Sequence, residues 1–148
     1  MSAPKIFVAL LLIVATHTFA ANNALVGLWK TIDDGTNKPR SLVRIGEQNG
    51  SYNGVIEKGL DPDDSPHKVC GNCTNARKNQ KVIGMAIMQN LKQNGDVFEG
   101  GEILDPDNGK IYRCKLKLLE NGKKLEVRGF IGVSLFGRSQ TWLREEEY

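Results

Sequence analysis

From Leu25 onward the chain alternates short apolar-rich segments with clusters of Gly, Asn, Asp and Pro. Within the segments, apolar residues recur at every second position, the spacing of a β-strand with one buried face. The clearest case is 110–119, where Tyr112, Cys114, Leu116 and Leu118 share one face and Arg113, Lys115 and Lys117 share the other. On this pattern eight strands are predicted, at 25–32, 41–47, 51–58, 81–89, 97–104, 110–119, 124–131 and 137–144. The segment KVIGMAIMQ (81–89) is apolar in both phases, which predicts a strand that is covered on its outer side or central. No stretch of the chain after residue 20 carries an amphipathic helical period.

The punctuation between these segments supplies the topology. Asn-Gly stands at 49–50, 94–95, 108–109 and 121–122, each time between strand-like runs. That dipeptide accepts the positive φ of a tight hairpin turn, so its repetition argues for consecutive antiparallel hairpins. A further copy, Asn53-Gly54, interrupts a strand and predicts a bulge or bend. The Asp-rich runs at 33–35, 61–64 and 105–107 read as turns whose carboxylates serve their own backbone. Only 59–80 is a long connection, so strands adjacent in sequence should be adjacent in the sheet. The expected fold is all-β: an eight-stranded antiparallel up-and-down barrel, with a two-sheet sandwich as the alternative. A barrel of this size is filled by side chains or holds one small ligand.

The first twenty residues break the pattern. Lys5 precedes the apolar run Ile6 to Ala15, and Thr18 and Ala20 occupy the small-residue positions before Ala21. These are the three parts of a cleavable signal peptide, predicted at 1–20, with one domain at 21–148. The apolar run is about half the length of a bilayer span, so no transmembrane anchor is expected after cleavage. The expected location is periplasmic or secreted. Removing Lys5 lowers the net charge from +3 to +2, which gives nucleic acid no electrostatic footprint to recognise.

Removal of the leader also takes His17 and leaves His67 as the only histidine. Ser134 lies in GVSLFG, which is not the Gly-x-Ser-x-Gly elbow of a nucleophilic serine. With no base for a triad and no paired carboxylates, the chain is not expected to be an enzyme, and no cofactor is implied. Cys70-Gly71-Asn72-Cys73 sits in the long polar loop. In an oxidising compartment the expected outcome for Cys70 and Cys73 is a local disulfide. A thiol-redox role, or zinc held with His67, stands as the lesser alternative, and zinc lacks a fourth ligand there. No resident metal is assigned. Arg44 and Arg128 are each set among apolar neighbours, in LVRIG and EVRGF. Facing inward they would favour an anionic or amphipathic ligand; facing outward they are surface charges, and the alternation leaves both phases open.

Two features resemble a known family. Gly27-Leu28-Trp29 is similar to the Gly-x-Trp motif that opens lipocalin-like barrels, and Arg138 and Arg144 flank Thr141-Trp142 in the last strand. In such barrels a late-strand arginine packs over the first-strand tryptophan, so Trp29, Arg138 and Trp142 are expected to secure the closed end. The segments 27–45, 60–64, 70–73, 99–116 and 127–142 together resemble the bacterial family called domain of unknown function 2147. The resemblance implies an exported lipocalin-like barrel and carries over no reaction. The leading expectation is a non-enzymatic protein binding a small apolar or amphipathic ligand, with Tyr112, Arg44 and Arg128 as candidate ligand contacts. The alternative is an envelope interaction or structural protein, using VSLF (133–136) and the lysine face of strand six.

Overall fold

Each of the four Asn-Gly turns reverses the chain between neighbouring strands in the computed structural model, which describes residues 23–147. The signal peptide predicted at 1–20 lies outside the described residues. The strands are β1 Gly27–Ile32, β2 Pro39–Gln48, β3 Ser51–Gly59, β4 Ala86–Asn94, β5 Val97–Leu104, β6 Ile111–Leu119, β7 Lys124–Phe130 and β8 Gly137–Glu145. All neighbours pair antiparallel in sequence order. β8 returns to β1 through Leu28↔Glu145, Trp29↔Arg144 and Lys30↔Leu143, so the sheet closes into a barrel. The barrel, not the sandwich, is the fold. Closure removes the unpaired edges that an open meander would leave.

Asn49 and Gly50 both take positive φ, 53° and 75°, which matches the twist of a two-residue hairpin turn. The bend predicted at Asn53-Gly54 is present: the β3–β4 register shifts on both sides of Gly54. Asn53 Oδ1 accepts the Asn90 backbone N–H at 3.0 Å, which satisfies the donor that the irregularity frees.

The predicted strand 81–89 differs from what is found. β4 starts only at Ala86, and Val82–Met85 belong to the end of the 60–85 connection. There Gly84 N–H donates to Ile56 O at 2.7 Å and Ile56 N–H to Met85 O at 3.0 Å. Val82 and Met85 are buried as a lid on the core. The double apolar phase thus came from a loop folded over the barrel, not from a strand covered on both faces.

The interior is divided along the barrel axis. Toward the β2–β3, β4–β5 and β6–β7 turns it is filled by Trp29, Val43, Ile45, Leu91, Phe98, Leu116 and Leu125, all buried. Tyr52 and Phe98 meet edge to face there, with ring centroids 4.9 Å apart. The opposite end is ringed by the loops 33–38, 60–85, 105–110 and 131–136 and is open.

Candidate functional site

The filled end is sealed by an arginine. The Arg144 guanidinium lies 4.1 Å from the centroid of the Trp29 ring. Its Nε donates to Gly122 O at 2.6 Å, one Nη to Val26 O at 3.2 Å, and the other Nη to Ala24 O. Trp29 Nε1–H donates to Leu25 O at 2.9 Å. Burial lowers the Arg144 pKa from its ordinary value. Gly27 makes room: with φ +138°, any Cβ at that position would stand 2.8 Å from an Arg144 Nη. This corrects the expectation for Arg138, because the arginine over Trp29 is Arg144. The β1–β8 register aligns Trp29 with Arg144 and leaves Arg138 near the opposite rim.

Arg138 instead pairs with Asp34, through Nε–Oδ2 at 2.5 Å and a second contact from Nη to Oδ1. The Arg138 hydrogen bond holds the Asp34 carboxyl below its usual pKa. Trp142 is buried, yet it lines the open half rather than the seal. Its Nε1–H donates to Gln140 Oε1 at 3.1 Å.

Above Trp142 the barrel holds a cavity of about 530 Å³. Its wall is apolar where Ile56, Ile87, Ile103, Val127 and Trp142 face it. At mid-depth it carries uncharged polar groups: Thr31, Ser41, Tyr112 and Gln140. The Thr31 and Ser41 hydroxyls are hydrogen-bonded to each other at 2.9 Å. Tyr112 OH accepts from Asn108 Nδ2 at 3.1 Å, which fixes the ring against the cavity. Tyr112 therefore lies where the period of β6 predicts it.

The charges are at the rim. Arg40 donates to Asp61 at 2.5 Å and to Asp107 at 2.8 Å. Lys68 reaches Asp107 at 2.7 Å and Asp64 at 2.9 Å. Asp107 thus joins β2, the long loop and the β5–β6 turn. Burial disfavours its ionised form, but Lys68 and Arg40 outweigh this and hold its pKa below the ordinary carboxylate value. This network escapes the sequence, since Arg40 and Asp107 are 67 residues apart. The Asp-Pro-Asp turns were its only local trace.

Arg44 and Arg128 do not reach the cavity. Arg44 lies between inward-facing Val43 and Ile45, so it points outward and forks onto Glu57 at 2.5 and 3.1 Å, with Glu147 at 2.7 Å. Its pKa is raised by these acceptors, Glu57 first. Arg128 lies between Val127 and Gly129, both of which line the cavity, so it too points outward. Its Nε donates to Ser134 O at 2.7 Å, and its Nη atoms donate to Leu135 O at 3.2 Å and Ser139 Oγ at 3.0 Å. Both are corrections to the expected ligand contacts.

Cys70 and Cys73 form the expected disulfide, and both are buried. Their loop is locked onto the β5–β6 turn: Asn72 Nδ2 donates to Asp107 O at 2.8 Å. A Cβ on Gly109 would collide with the Asn72 carbonyl, so this contact requires glycine. Sulfurs joined to each other offer no thiolate, and His67 is exposed. Among the described residues no three His, Cys, Asp or Glu side chains are grouped to hold a metal ion. Cys114 is a free buried thiol whose pKa burial pushes up to about 12.

With this geometry the comparisons agree. No curated protein matches the chain. A solved structure, protein HP1028 from the human pathogen Helicobacter pylori, described as belonging to the lipocalin family, superposes with a TM-score of 0.72. It is 22% identical, and the match covers 83% of this chain and 84% of that one, which shows a shared lipocalin-like fold. The profile of the family described as uncharacterized protein conserved in bacteria (DUF2147) matches residues 27–144. With that span running from the Gly-x-Trp strand to the sealing arginine, the chain belongs to the DUF2147 family.

Proposed function

We propose that this protein is an exported, non-enzymatic carrier that holds a small amphipathic molecule in the open half of its barrel. One observation supports the reading above the others: the cavity of about 530 Å³ is apolar at its wall, neutral and polar at mid-depth, and charged only at its rim. A cavity of that size suits a small organic molecule. The gradient favours a ligand whose apolar part lies against Ile87, Ile103 and Trp142. Hydroxyl or carbonyl groups on the ligand would then meet Thr31, Ser41, Tyr112 and Gln140.

The test uses protein purified without denaturation, extracted with organic solvent and examined by mass spectrometry. A stoichiometric small molecule is expected. Gly129→Leu supplies the control, because a Cβ there meets Tyr112 Cβ at 3.5 Å and Ile103 Cγ2 at 3.8 Å, ordinary contact distances. The longer side chain would occupy the cavity while the fold is kept. Loss of the extracted molecule with an unchanged circular dichroism spectrum supports the carrier reading. Absence of any extractable molecule, with no uptake of an apolar fluorescent probe by either form, would falsify it.

A further inference from the structure

The loop between β7 and β8 has a composition that neither the core nor the cavity explains. Ile131, Val133, Leu135 and Phe136 are 68%, 60%, 79% and 76% exposed. Residues 129–137, GFIGVSLFG, contain no charged side chain. Single exposed apolar residues are ordinary, but four in one six-residue loop form a patch that needs a partner.

Part of the loop's backbone is tied down. Ser134 O and Leu135 O both accept from Arg128, at 2.7 and 3.2 Å, and Phe136 N–H donates to Val133 O at 3.1 Å.

The charge immediately behind the loop points to the kind of partner. Arg113 stands 5.9 Å from the Phe130 ring centroid and is exposed. Neither Arg113 nor Arg128 has a carboxylate partner among the described residues. By contrast, each of the rim carboxylates Asp34, Asp61, Asp64 and Asp107 has an ion-pair partner in Arg138, Arg40 or Lys68. An apolar tip backed by two arginines without carboxylate partners complements a layer of phosphates over hydrocarbon. A second copy of the chain fits less well, since a two-fold contact through this loop would bring the same arginines together.

We propose that the β7–β8 loop, residues 131–136, is a phospholipid-contacting loop that dips its apolar side chains into a bilayer surface with Arg113 and Arg128 at the phosphate level. Gly129 and Arg138, at the roots of the loop, also line the cavity, so the contact sets the mouth of the barrel against the lipid. The contact does not depend on whether the cavity carries a ligand.

The experiment places a polarity-sensitive fluorophore on the loop through Phe136→Cys in the full chain, where the remaining free thiol, Cys114, is buried. A second labelled form, Asp96→Cys, reports the β4–β5 turn at the opposite end. Vesicles contain three parts phosphatidylethanolamine to one part phosphatidylglycerol. The expected result is a blue-shifted, brighter signal from the loop label and none from the turn label. Leu135→Asp should weaken the response roughly tenfold, and Arg113→Gln about two- to threefold in low salt. No change at the loop label overturns the proposal. So does an equal change at both labels, which would mean adsorption through another part of the chain. A concentration-dependent dimer dissolved by Leu135→Asp, without any vesicle response, would assign the patch to self-association instead.

Discussion

At the sealed end of the barrel a single cation, Arg144, gives its hydrogen bonds to backbone carbonyls and its flat face to Trp29. At the mouth two cations, Arg40 and Lys68, give theirs to three carboxylates on two different segments. The contrast separates two ways of holding a barrel. The seal depends on packing and on desolvated donors, so it should respond to lost volume and little to salt. The mouth depends on half-exposed charges, whose attraction water screens and whose ionisation pH controls. Such an arrangement leaves the cavity entrance weakly held while the closed end keeps the sheet in register.

The largest effect that this contrast predicts is at the seal. Trp29→Ala should cost about 3–5 kcal/mol, the usual range for truncating a buried aromatic, because it opens a void and removes the platform under Arg144. The midpoint of urea unfolding measures it. A loss below about 1 kcal/mol would mean that the seal is not where the barrel's stability is concentrated. Arg144→Gln should follow at about 2 kcal/mol, since one amide cannot serve three carbonyls and the ring contact is lost. That loss should change little between low and high salt. A strong salt dependence would show that the arginine acts as a charge and not as a packed donor.

Much of this division was legible in the chain. The period of two placed Tyr112, Cys114 and Leu116 inside, and the Asn-Gly turns gave the meander. Arg138, Gln140, Trp142 and Arg144 all alternate onto the inward face of β8, so periodicity offered both arginines as the seal. What separated them was the pairing of β8 with β1, a contact between the two ends of the chain that no local pattern encodes. The phases of Arg44 and Arg128 were hidden for a related reason. Each strand's inward set is fixed only when one of its residues is tied to the barrel axis, as Val43 is by its pairing with Trp29. The rim network was less visible still. Asp61 and Asp107 look like turn residues because they are, and their ion pairs arise only when two distant turns meet over the cavity.

The smallest effect lies at that rim. Asp107→Asn keeps the shape of the side chain and removes the charge shared by Arg40 and Lys68. About half of the Asp107 side chain is exposed, so screening limits the expected loss to about 1 kcal/mol at pH 7. The direction with pH follows from the lowered folded-state pKa. The ionised carboxylate contributes fully above its unfolded value of about 3.9, and the contribution fades as pH falls through the lower folded value. Wild type and Asp107→Asn should therefore differ in urea midpoint at pH 7 and converge toward about pH 2. Convergence should be absent for Trp29→Ala, whose deficit involves no titrating carboxylate. If the Asp107→Asn deficit instead persists unchanged at low pH, the rim is held by shape as the seal is, and the two ends differ less than their charges suggest.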